Sequence, residues 1–188
     1  MFLLVTGILL WSVVHLFKAI APGARQSLIT RLGEGVYKGV FALLILASLA
    51  LIILGWRSST PGLVYLAPAA LRHVTMLLML LAIILFVASA IPSDIKRWLR
   101  HPQMLAVIVW SIAHLLSNGE DRSLLLFGGL GLWAVLEILF INRRDGDWLR
   151  PAPTGWMRAL IPLIIGVVVY VLVVYFHAYL AGVALISA

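Results

Sequence analysis

Five histidines, His15, His73, His101, His114 and His177, are the side chains of this sequence with the widest chemical range. A neutral imidazole can ligate iron, copper or zinc, and it can move a proton near neutral pH. Their surroundings are oily. Two of them lie in "LRHPQMLAVIVWSIAHLLSNGE", residues 99–120, where a basic RHPQ opens a mostly apolar run. Cysteine is absent, which excludes disulfides, thiolate ligands and covalent c-type haem attachment. The patterns G-x-S-x-G, H-E-x-x-H and the Walker loop are absent too, and no two carboxylates are spaced for acid–base work. Gly128, Gly129 and Gly131 follow no strand, so they read as small residues for close helix packing rather than as a dinucleotide loop.

The elements that must position these imidazoles follow from composition. The chain has 188 residues, 63% of them hydrophobic and only 11% charged, with a mean hydropathy of +1.11. A soluble domain of that size cannot hide so much apolar surface, so the class is all-α: a polytopic integral membrane helical bundle, one domain over residues 1–188. Six apolar stretches are candidates to cross a core of about 30 Å: 2–20, 37–55, 72–91, 103–117, 123–142 and 159–186. The fourth is short, which places the RHPQ segment in the interface or dipping inward. Ala19-Ile20-Ala21 imitates a signal-peptide cleavage site, but no basic region precedes the apolar run, so the first stretch reads as a retained helix.

Eleven of the fourteen Lys and Arg residues fall in the first, third and fifth connections. The positive-inside rule therefore expects those loops in the cytoplasm and both termini on the periplasmic side of a bacterial inner membrane. The formal charge of +7 lies in short loops between apolar runs, where lipid phosphate is the partner rather than nucleic acid.

Depth then sorts the histidines. His15 lies within about 8 Å of the cytoplasmic boundary and His101 at the cytoplasmic mouth of the fourth span. His73, His114 and His177 belong to the outer half. His101 and His114 are separated by about 20 Å along one helix and about 140° around it, so they cannot share one metal. A paired site must join different helices at one depth: His15 with His101 inside, or two or three of His73, His114 and His177 outside. Axial ligands of a haem would need their nitrogens about 4 Å apart. Glu137 is the one acid well inside a span; it can orient an imidazole or pair with Arg143 or Arg144. Arg25, Arg31 and Arg100 are inner-face cations able to clamp haem propionates, or simply topology signals.

The runs "RLGEGVYKGVFALL", "LRHVTMLLMLLA" and "RHPQMLAVIVWSIAHLLSNG", with a late histidine in the last span, resemble the NnrU family over essentially the whole chain. That family is linked to nitrite and nitric oxide reduction. The pattern is also similar to zeta-carotene isomerase, whose chemistry depends on non-covalent haem b. The resemblance implies haem-ligand positions at His15 and His101, and tips the choice between layers to the inner pair.

Two other functions compete with haem binding. RHP also opens the cofactor motif of isoprenylcysteine and phospholipid methyltransferases, which use S-adenosylmethionine, but Met104 stands where their tyrosine would and Glu137 has no acidic neighbour. A non-enzymatic assembly or transport factor is the third. The expected partners are the lipid bilayer, a hydrophobic or gaseous small ligand and a redox partner.

Overall fold

The computed structural model describes residues 1–185, and among these the chain is helical throughout apart from its connections. The elements are α1 (Phe2–Ile20), α2 (Pro22–Leu32), α3 (Glu34–Ser58), α4 (Leu71–Ala90), α5 (Ile95–Trp98), α6 (Pro102–Leu115), α7 (Asp121–Ser123), a π-helical turn (Leu124–Gly128), α8 (Gly129–Asp145) and α9 (Trp156–Ala181). The stretch from α7 through the π turn to α8 is one continuous 25-residue rod. Five helices are long and apolar enough to cross a membrane: α1, α3, α4, this rod and α9. α6 is apolar but only 14 residues long, about 21 Å.

Two expectations are sharpened. The first connection is not a loop but the short helix α2, opened by Pro22 at its first turn. α3 begins three residues before the apolar run because Glu34 and Lys38, a turn apart, pair at 2.8 Å on its exposed start. The last helix ends at Ala181 rather than running to residue 186 as expected, because Gly182 takes the left-handed conformation and closes it; residue 186 itself lies outside the described residues.

The helices form an arc in the order α3, α1, α8, α6, α4, α9, each packed chiefly on its neighbours. Small residues set the closest approaches, as expected where lipid removes the hydrophobic drive between helices. A Cβ on Gly7 would meet the Ile52 backbone at 2.7 Å, and one on Gly55 would strike the Leu4 backbone. Leu4, Ile8 and Ile52 form the tight apolar core of this seam. Gly129 faces Ile8, and Gly131 faces Ser111 at 3.0 Å, so the glycine run serves close packing; Gly128 faces open space.

The connections are tied at both ends. At one end the 59–70 segment bonds to the 118–121 turn, through Val64 N–H to the Gly119 carbonyl (2.8 Å) and Asp121 N–H to the Gly62 carbonyl (2.9 Å). Tyr65 Oη adds bonds to the carbonyls of Leu115 and Asn118. At the other end Arg100 bonds the Gly146 carbonyl at 2.8 Å. There Asp94 Oδ1 also accepts from the Thr154 amide (2.7 Å) and hydroxyl (3.0 Å).

Gly55→Ala will lower thermal stability in detergent by about 1–3 kcal/mol, because its methyl meets backbone rather than a yielding side chain. Gly35→Ala, which points into open space on the same helix, will not. The bond from the Thr154 amide holds the Asp94 carboxyl below its ordinary range. A carboxylate depressed on folding stabilises above its unfolded pKa and loses that contribution as pH falls through the folded one. Hydrogen-exchange protection of the Thr154 amide will therefore persist from neutral pH down to the ordinary aspartate pKa of about 3.9 and be lost only below it, and Asp94→Ala will abolish it at all pH.

Candidate functional site

α1 and α6 each carry the same local device. In "WSVVH" and "WSIAH" a tryptophan stands four residues before a histidine, so both side chains share one helix face. His15 Nδ1 bonds the Trp11 carbonyl, and His114 Nδ1 bonds the Trp110 carbonyl, both at 2.9 Å. A carbonyl only accepts, so Nδ1 carries the proton in each ring and Nε2 keeps its lone pair. The rings lie against their own tryptophans, with centroids 4.4 and 5.0 Å apart.

The rod of α7, the π turn and α8 supplies the third wall in both places. Trp133 packs at 5.1 Å from His15, with Phe41 of α3 at 5.7 Å. Phe127 stacks on His114 at 4.3 Å and 20°. Phe127 belongs to the π turn, a rare geometry that rotates the following residues and is frequent at functional sites. The doubled W-S-x-x-H is a sequence signal that hydropathy and depth pass over; the π turn has no such signal.

His114 does not stand alone. It lines a cavity of about 430 Å³ with His177, Arg72, Met76, Met79 and Tyr170. His177 Nδ1 bonds the Val183 carbonyl at 2.7 Å, because Gly182, in the left-handed conformation, turns the chain back after α9. Arg72 bonds the Leu185 carbonyl at 2.5 Å and so holds the same returning segment across the cavity. Two imidazoles from different helices, both with Nδ1 occupied by a carbonyl, thus share one ligand-sized space. His73 is exposed on α4 and takes no part.

The inner pair is placed differently. His101 precedes α6, and its Nε2 bonds Asn142 Oδ1 at 2.8 Å. Trp133, which holds His15, and Asn142, which holds His101, are nine residues apart on α8. They are separated by about 14 Å along the helix and half a turn around it. His101 lines a smaller cavity of about 300 Å³ with Arg100, Lys96 and Trp148, and His15 is not part of it.

Glu137 is buried, and its Oε2 has no hydrogen-bond partner. Arg144 pairs instead with Asp145 at 2.6 Å and reaches the Lys18 carbonyl at 3.1 Å. Arg25 lies over the Tyr37 ring at 5.6 Å, and Arg31 is exposed in the last turn of α2. Among the described residues no three His, Asp or Glu side chains gather as a metal-ion site. A haem, which supplies four nitrogens of its own, needs only one or two ligands.

No curated protein and no solved structure matches the chain. The family model described as NnrU protein matches residues 3–185. A membrane-like helical bundle with carbonyl-anchored histidines is thus what this sequence pattern builds, and the chain belongs to the NnrU family.

Proposed function

We propose that the chain is a six-span protein of the bacterial inner membrane that binds haem b in the outer cavity, with His114 and His177 as the iron ligands. The observation that carries this reading is the shared cavity itself: two imidazoles on different helices, each with Nδ1 bonded to a carbonyl and Nε2 left for iron. The lining suits the group. Met76, Met79 and the stacked Phe127 give apolar and polarisable walls, and Arg72 at the rim offers a cation for propionate. A bound haem supplies a one-electron centre, and an iron that can take a small gas or polarise a polyene. The protein's own part is to fix the imidazole tautomers, hold the returning C-terminal segment over the cavity through Arg72, and exclude water. Family membership supports a role beside nitrite and nitric oxide reduction; the similarity to zeta-carotene isomerase supports isomerase-like polyene chemistry as the alternative.

The six-span topology draws support from the two sets of ties, and the periplasmic placing of both termini from the basic loops. α6 runs from the 146 loop, reached by Arg100, to the 59–70 segment at the other end, so it joins opposite ends of the bundle despite its length.

Purified protein in mild detergent will show a Soret band in oxidised and reduced states. His114→Ala and His177→Ala will each lower haem affinity by more than about tenfold and shift the spectrum, while His73→Ala will leave it unchanged. A loss confined to His15→Ala and His101→Ala would move the haem to the inner pair that the resemblance implies. A colourless protein that binds S-adenosylmethionine would favour a methyltransferase, and one inert to both an assembly or transport factor. Because the chain has no cysteine, single substitutions report topology directly. An impermeant maleimide will label Ser27→Cys and Asp147→Cys only from the cytoplasmic side and Thr60→Cys only from the periplasmic side. Labelling of Asp147→Cys from outside would mean that α6 does not cross.

A further inference from the structure

The cavity of about 300 Å³ beside His101 lies at the end of the bundle that carries the basic loops. Lys96 of α5, Arg100, His101 and the start of α6 form one side, and Trp148 and Pro151 of the last connection the other. No acid lines it. The carboxylates nearby are committed elsewhere, Asp145 to Arg144 at 2.6 and 3.0 Å and Asp94 to the Thr154 amide at 2.7 Å. Among the described residues Lys96 makes no ion pair. Arg100 gives one N–H to the Gly146 carbonyl at 2.8 Å, which fixes the guanidinium and leaves its other donors.

The charge pattern around the start of α6 is inverted. A helix N-terminus carries roughly +0.5 of a charge and is ordinarily met by an acid or a capping side chain. α6 has neither: its first turn holds no acid, and His101, which precedes it, bonds Asn142 instead of capping the helix. Pro102 has no N–H, and the first bond back runs from the Leu105 amide to the His101 carbonyl. The amides of Gln103 and Met104 are thus the open donors of the first turn, and both residues line the cavity.

Two cations and two open amides therefore border one space, and the protein supplies no counter-charge to it. Held together in that way they repel one another, unless an anion lies among them. Phosphate fits the donors best. Its oxygens accept from helix N-terminal amides, from a guanidinium two at a time, and from an ammonium as a point charge. The volume leaves room for an attached ester group between Trp148 and Met104. We propose that this cavity binds the phosphate group of a membrane phospholipid or of a soluble phosphate compound, held by Lys96, Arg100 and the first turn of α6. The site is separate from the histidine cavity and does not depend on haem.

Radiolabelled inorganic phosphate and radiolabelled dioleoylphosphatidylglycerol test this on the purified, delipidated full chain in dodecyl maltoside. Saturable binding of the lipid assigns the membrane source, and saturable binding of inorganic phosphate alone the soluble one. Lys96→Gln and Arg100→Gln will each weaken the bound probe about tenfold. Arg143→Gln, which removes the same charge from an exposed position at the same end, will not. Gln103→Glu places a carboxylate at the uncapped first turn. It will weaken the probe at least as much, yet raise the melting temperature of the ligand-free protein, because the chain then carries the missing anion itself. Saturable binding of neither probe would overturn the proposal. So would equal weakening in Arg143→Gln, or Gln103→Glu that binds as the wild type does. Circular dichroism and elution volume will confirm that each variant is folded.

Discussion

An imidazole placed inside an apolar bundle must give its N–H to something, and within hydrocarbon there is no water to take it. The helix itself offers an acceptor one turn back, and His15 and His114 both use it, reaching the carbonyls of Trp11 and Trp110. That single bond fixes the tautomer, turns Nε2 away from its own helix and lays the ring on the tryptophan four residues before. His177 reaches the same state by another route, through a carbonyl that the Gly182 turn brings back. Positions and protonation of three of the five histidines thus follow from satisfying one donor each.

The rod formed by α7, the π turn and α8 converts these local arrangements into sites. It packs between α1 and α6, so it faces both W-S-x-x-H segments, presenting Trp133 to one and Phe127 to the other. Glycines let it approach so closely: Gly129 against Ile8 and Gly131 against Ser111. On the far side, α4 and α9 complete an arc whose interior is not filled by side chains. Its two large cavities share Ile83 and Val173, and His114 and His177 line one of them. The outer faces of the long helices are largely exposed hydrocarbon suited to lipid.

Much of the fold is legible in the residues because hydropathy is a local sum. Runs of apolar residues about twenty long mark α1, α3, α4, the rod and α9, and the basic loops between them carry an orientation signal that needs no partner to read. The RHPQ segment likewise announces a short fourth helix with an irregular entry, found as α5, a turn at His101 and α6. The doubled W-S-x-x-H is also local and is present in the letters, although its meaning emerges only beside the bonds that each copy makes.

Which histidines meet is a different kind of fact. Depth along each helix can be counted from the sequence, but rotation about the helix and order around the bundle cannot, and a site needs all three. Counted along the sequence His15 and His101 share a layer, yet the residues that hold them lie about 14 Å apart along α8 and half a turn around it. His114 and His177 line one cavity because α6 and α9 both flank α4 and the chain after α9 folds back. The π turn that stacks Phe127 on His114 has no compositional mark at all. The sequence by itself therefore determined the class, the helices and the layers, through hydrophobicity and charge summed along the chain. The tertiary structure decided the pairing, because packing angles and helix order depend on contacts between residues far apart in it.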